Sequence, residues 1–217
     1  MSIASEHHPS LRLGSRLVGA FLAMVVTSTL ALAAEPHVIL LRGWFGVFSA
    51  GLDSVADDLK AQGIQAKVAG HLHWSAEVAE ILRERSAGQT GPLILVGHSQ
   101  GANNVIDMAR SLAPYHITVD LLVTLTPFMQ NPIPANVVKA INYYNSSGWG
   151  QPIAADSGFS GKIVNIDLAN DSTINHTNVD KSVQVRAEIV KEINALNGTA
   201  IIIAPTITAG RTPTARY

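Results

Sequence analysis

Apolar positions along the chain change period several times, and each change marks an element. His37-Val38-Ile39-Leu40-Leu41, Leu93-Ile94-Leu95-Val96, Ile117 to Leu125 and Lys162 to Leu168 are short runs bounded by glycine, proline or polar turn residues, as strands buried on both faces are. Gln65 to Val68 is a further short strand, and Val137 to Tyr144 is another strand candidate. Between the strands the spacing becomes helical. Leu52, Val55, Ala56 and Leu59 share a face over 52–62, and Val78, Ile81 and Leu82 do so over 75–86. Val105, Met108, Ala109 and Leu112 repeat the pattern after Gly101, and Val185, Ile189, Val190, Ile193 and Leu196 repeat it over 181–196. Gly63 and Asn197-Gly198 sit where helices stop, and Ser75 and Asp180 are expected to cap helix starts. Strands alternating with helices join by right-handed crossovers, so the expected fold is α/β, a mostly parallel central sheet with helices on both faces.

One junction carries chemistry. The apolar strand Leu93 to Val96 runs straight into Gly97-His98-Ser99-Gln100-Gly101, and a helical pattern follows at once. A serine hydroxyl is a weak nucleophile unless it is held clear of its neighbours, where a base can take its proton. Gly97 and Gly101, without Cβ atoms, let strand and helix approach closely around a strained serine, the arrangement called a nucleophile elbow. The N–H of Gln100, at the start of the helix, is then available to an oxyanion. His98 adjoins the serine around the tight turn, where neighbouring side chains point apart, so it is not expected to be the base.

With Leu41-Arg42-Gly43-Trp44-Phe45-Gly46 upstream and Ile174-Asn175-His176 downstream, this motif resembles the α/β-hydrolase superfamily, in particular its small secreted or periplasmic lipases, esterases and thioesterase-like hydrolases, over residues 37–197. The resemblance implies an α/β-hydrolase fold in a minimal version without a large cap domain. It also implies the chain order serine, acid, histidine, with the histidine between the last strand and the last helix. His176 lies there. His116, the other histidine beyond the elbow, precedes its strand and so belongs to the opposite edge of a parallel sheet. For the acid, Asp171 stands five residues before His176, with Asp167 and Asp156 as alternates. In these hydrolases the loop after an early strand supplies a second oxyanion donor; here Gly43 would let the Trp44 N–H face Ser99, with Phe45 the alternate, and Arg42 stands where histidine is common. Some relatives carry an acid at the strand end where this chain has Phe128-Met129.

Several loop residues at that edge are large and apolar. Phe45, Phe48, Phe128, Met129 and Trp149, beside Trp44, are expected to line a substrate pocket for an apolar acyl group. Pro127, Pro132 and Pro134 exclude a helix or inner strand over that segment, and the glycine-rich stretch 145–161 is expected to form a partial lid. His71 and His73 would share a face if extended, but no third ligand stands at a recognisable spacing, so no metal is expected, nor any organic cofactor.

Composition narrows the class further. Lys+Arg 15 against Asp+Glu 16 gives no field to gather nucleic acid, and the absence of cysteine means the fold must stand on its core. Arg12 and Arg16 precede an apolar run, Leu17 to Leu32, that ends in Ala31-Leu32-Ala33-Ala34, so residues 1–34 are expected to be a signal peptide or N-terminal anchor. Residues 35–198 are then the hydrolase domain and 199–217 a tail, in which Ile201-Ile202-Ile203 can add an edge strand. The expectation is an exported protein, periplasmic or secreted, with no membrane span in its mature form; retention of residues 1–34 as an anchor is the alternative. Its expected function is a serine hydrolase of small-molecule carboxylic esters, thioesters next. The alternative is a non-catalytic α/β-hydrolase-fold binding or scaffold protein at the cell envelope. Oligomeric state is not encoded in any of these signals.

Overall fold

The computed structural model describes residues 34–44, 46 and 49–198. The expected leader over 1–34, except Ala34, the tail 199–217 with Ile201 to Ile203, and the pocket candidates Phe45 and Phe48 lie outside the described residues. Six strands and four α-helices follow in the order β1 (His37–Arg42), α1 (Gly51–Lys60), β2 (Ala66–Gly70), α2 (Trp74–Ser86), β3 (Leu93–His98), α3 (Gln100–Leu112), β4 (Val119–Leu125), β5 (Val137–Tyr144), β6 (Lys162–Asp167) and α4 (Val183–Gly198). All six strands run parallel in one sheet ordered β2-β1-β3-β4-β5-β6. β1, β3 and β4 are buried on both faces between helices, whereas β6, at the edge of the sheet, is only partly covered.

Alternation within the strands sorts the core into two layers. Val38 and Leu40 of β1, Ile94 and Val96 of β3, and Val123 and Leu125 of β4 pack with Leu52, Val55 and Leu59 of α1 and with Val185, Ile189 and Ile193 of α4. Ile39 and Leu41, Leu93 and Leu95, and Leu122 face the other way, onto Ile81 of α2 and Val105, Ile106, Ala109 and Leu112 of α3. The fold is therefore α/β with helices on both faces and no cap domain among the described residues. The order in which strands are added reverses at β1: β2 lies on one side of it and β3 on the other. Such a switch point opens a crevice at the carboxyl ends of its two strands, here β1 and β3.

A polar ladder crosses the last three strands. Thr124, Asn142 and Asn165 stand in register on β4, β5 and β6. Thr124 donates to Asn142 Oδ1 at 2.9 Å, and Asn142 Nδ2 donates to Asn165 Oδ1 and to the Gln151 carbonyl, both at 2.9 Å. Asn165 exchanges two bonds with the backbone of Ile153, and Ala155 bridges to Ile133. These bonds fasten the middle of the 145–161 segment to the sheet, which corrects the expectation of a lid there: a ladder of side-chain amides, buried at Asn142 and open at Asn165, holds in place what composition alone made look free.

Two caps differ from expectation. A 3₁₀ turn, His71–His73, runs directly into α2, so Ser75 falls inside the first turn and His73 takes the cap position with no side-chain bond. That turn also removes the extended geometry in which His71 and His73 would share a face. Asp180 caps a different helix from its own: its Oδ2 accepts the N–H of Gly51, the first residue of α1, at 2.7 Å, and the side chain is buried.

Candidate active site

Ser99 sits between the last residue of β3 and the first of α3, with φ 57° and ψ −121°. A serine with positive φ is strained, and such residues persist where surrounding contacts over-determine them. The contacts here are close. A Cβ on Gly97 would lie 2.3 Å from the Gly101 carbonyl oxygen, and one on Gly101 would lie 2.2 Å from the Leu41 oxygen, so neither position admits a side chain. The Ser99 N–H donates to the Leu125 carbonyl at 2.9 Å, which pins the turn to β4. Thr126, just beyond β4, is the neighbouring strained residue at φ 41° and is buried. The serine thus stands at the strand–turn–helix apex expected from the motif, on the rim of the switch-point crevice.

The loop after β1 closes on it. A Cβ on Gly43 would come within 2.8 Å of Ser99 Cβ and 3.4 Å of Ser99 Oγ, so only glycine fits this approach. The Gly43 N–H is engaged by Ser49 Oγ at 3.0 Å, and the next amide in the chain is that of Trp44. On the other side Gln100 opens α3, and its N–H has no carbonyl four residues earlier within the helix. The Arg42 guanidinium pairs with the Asp53 carboxylate in the first turn of α1.

His176 lies in the loop after β6, and its ring is flanked by two others. The His98 ring centroid is 5.2 Å away and that of Trp149 is 4.6 Å away, tilted by 33°. His98 Nε2 donates to the His176 carbonyl oxygen at 2.7 Å, while His98 Nδ1 meets Ser49 Oγ at 2.8 Å. Asn145 Nδ2 donates to the Ile174 carbonyl at 3.1 Å and holds the same loop from the other flank. Burial, and next the nearby His98, lower the His176 imidazole from its ordinary 6.5 to about 4; burial also lowers His98. Among the described residues no hydrogen bond joins Ser99 Oγ to His176, and His176 Nδ1 is buried with no partner. Catalytic hydrogen bonds commonly tighten only once substrate is bound.

The three candidate acids are engaged elsewhere. Asp171 Oδ1 accepts from the Thr173 N–H and hydroxyl at 2.9 and 2.6 Å, an aspartate turn closed on its own loop. Asp167 accepts from the Ser146 N–H at 3.1 Å, its hydroxyl at 2.5 Å and the Ala169 N–H at 3.0 Å. Asp156 pairs with Arg110 at 2.7 Å on the surface. These bonds hold all three carboxyls below the usual carboxylate range, and none of the three reaches His176 Nδ1.

Aromatic side chains line the same edge in one continuous row. Trp44 stacks with Phe128 at 6.0 Å, Phe128 meets Trp149 at 5.6 Å, and Trp149 leads to His176. Trp44 is 54% exposed, Phe128 47% and Trp149 43%, which is far more open than core aromatics. Met129, also exposed, follows on the loop after β4. Asn103 of α3 holds that loop: its Oδ1 accepts the Phe128 and Met129 N–H groups at 3.0 and 3.1 Å, and its Nδ2 donates to the Met129 carbonyl at 2.7 Å. Three of these supporting residues lie outside the sequence expectations. Asn103 left a signal, a polar residue three before Ile106 on the buried stripe of α3. Ser49 and Asn145 left none, since an isolated polar residue in a loop is unremarkable. Among the described residues no group of three or more His, Cys, Asp or Glu gathers to hold a metal ion.

No family model matches this sequence, and no curated protein matches it. Among solved structures the chain is similar to a crystal structure from Xanthomonas campestris pv. campestris, described as a proposed hydrolase of the alpha/beta superfamily. The identity is 16%, over 72% of this chain and 98% of that one, with a TM-score of 0.38. At that identity and TM-score the likeness carries no weight for the chemistry.

Proposed function

We propose that the protein is a serine hydrolase that cleaves small carboxylic esters, with thioesters as the next class, through an acyl-enzyme. The observation that carries this reading is Ser99, strained at the apex of the elbow with the Gly43 loop pressed against it. Ser99 Oγ attacks the acyl carbonyl and passes its proton to His176, which returns it to the departing alcohol or thiol. The N–H groups of Gln100 and Trp44 take the charge that develops on the carbonyl oxygen. Water, deprotonated by the same imidazole, then releases the acid and restores the serine. The open row Trp44, Phe128, Trp149, with Met129 beside it, supports an apolar acyl group, which would cover exposed aromatic surface. The arginine-flanked apolar run before Ala34 supports export, with residues 1–34 removed.

A fluorophosphonate probe on wild type, Ser99→Ala and His176→Ala tests the reading. Labelling of wild type alone supports it, and esters of graded acyl length then define the pocket. The unpartnered Nδ1 of His176 favours one rival, an elbow kept for binding without catalysis. A folded wild type that takes no label would select that rival. N-terminal sequencing of exported protein tests the cleavage, which fails if residue 1 or 2 is found.

A further inference from the structure

We propose that Ser49 and His98 form a fixed hydrogen-bond relay that positions the oxyanion loop and the base loop against Ser99, the place-holding task that a carboxylate does elsewhere. The inference rests on the serine-hydrolase reading for its kinetic consequences, although the relay itself is a matter of geometry. Three bonds compose it: Gly43 N–H to Ser49 Oγ at 3.0 Å, Ser49 Oγ with His98 Nδ1 at 2.8 Å, and His98 Nε2 with the His176 carbonyl at 2.7 Å. Ser49 and His98 are each 1% exposed, so water does not compete for these groups.

Donor and acceptor arithmetic allows one arrangement. A carbonyl oxygen only accepts, so His98 Nε2 carries the hydrogen. In the neutral ring Nδ1 is then an acceptor, and the Ser49 hydroxyl donates to it. The Ser49 oxygen keeps lone pairs for the Gly43 N–H, and every group in the relay is satisfied. Burial lowers the His98 pKa, in keeping with the neutral ring the arrangement needs. Both ring nitrogens are committed, so His98 moves no proton in catalysis. Its role is positional.

Strand order shows why such a device is needed. Ser99 follows β3 and His176 follows β6, with β4 and β5 lying between those strands. The base loop must reach across them, and no side chain among the described residues holds His176 Nδ1. What fixes the loop on the serine side is its own carbonyl at residue 176, tied through His98 and Ser49 to the backbone at Gly43. One buried imidazole therefore keeps the base, the nucleophile turn and the oxyanion loop in common register.

Two measurements on the full chain test this. The first needs no activity: ¹⁵N chemical shifts of the wild-type histidine rings report tautomers, and the relay requires His98 with its hydrogen on Nε2. A His98 ring protonated on Nδ1 alone overturns the relay whether or not the protein hydrolyses esters. The second is kinetic, on a p-nitrophenyl ester. His98→Asn keeps an acceptor near the Nδ1 place but loses the bond to residue 176, whereas His98→Gln keeps a donor near the Nε2 place. His98→Asn should lower kcat by about 10- to 100-fold with KM little changed, the scale on which small misplacements of catalytic groups act. His98→Gln breaks the chain at its other link, the one to Ser49, and should lower kcat on the same scale with KM again little changed. Ser49→Ala combined with His98→Asn should cost no more than the worse single variant, because both break one chain. Additive losses, or a kcat within about twofold of wild type in either His98 variant, would overturn the relay. Absence of probe labelling in wild type would instead overturn the hydrolase reading and leave the tautomer test standing.

Discussion

The serine side and the base side of the candidate site are built by different means. Around Ser99, backbone meets backbone: Gly97, Gly101 and Gly43 each sit where a methyl group would strike a carbonyl or the serine itself, and strands pack on both sides. Around His176 the loop follows the edge strand β6, is tied down through side-chain amides and a carbonyl, and keeps Asp171 on local bonds. Close packing leaves one sequence solution, while a loop held by hydrogen bonds has many. The nucleophile is therefore written in a short motif, and the group that orients the base is not.

Variants should separate the two sides in graded fashion. Gly101→Ala forces a methyl against the Leu41 oxygen and should cost about 3 kcal/mol or more, read as a lower urea midpoint. A midpoint unchanged from wild type would mean the elbow is not close-packed. The pH profile sharpens the contrast next. A lone imidazole at about 4 stays neutral, and so basic, through the weakly acidic range; the acid limb of kcat/KM should then fall well below the ordinary 6.5. At pH 5 the neutral fraction would be about 30-fold larger than for an unshifted histidine. A limb at 6.5 or above would show that a carboxylate engages Nδ1 in solution. Asn103→Ala, which removes three bonds to the Phe128-Met129 loop, should raise KM by about tenfold and leave kcat nearly intact. A fall in kcat at unchanged KM would place that loop in the chemistry instead. Smallest of all should be Asp171→Asn, Asp167→Asn and Asp156→Asn, each under about threefold in kcat/KM, against roughly 10⁴-fold for loss of a working triad carboxylate. A large loss in any one would identify the acid.

How much was legible follows the same division. Strands and helices were, because short continuous apolar runs and period 3.6 are local properties and the core lies on both faces of the sheet. Ser99 was legible because its glycines and strand surround it within a few residues. His176 was placed by chain order. Its surroundings were not, since the bond between Ser49 and His98 spans 49 residues and the one from Asn145 to Ile174 spans 29. Trp149 was expected in the pocket as a substrate wall, and its ring against His176 adds a contact that loop composition does not reveal. Asp180 shows the limit most plainly, since its place at a helix start suggested a local cap and its partner proved to be Gly51.

That last bond spans 129 residues, and its consequence concerns time. Chains emerge from the ribosome at about 5–20 residues per second. The first helix is made early, yet its leading amide must wait several seconds for Asp180 to appear. The loop bearing His176 arrives in the same late interval, and non-local parallel strands are slow to pair in any case. A truncated or still-growing chain thus holds a serine with no base beside it, and the last stretch of synthesis completes the site and the tie to the first helix together.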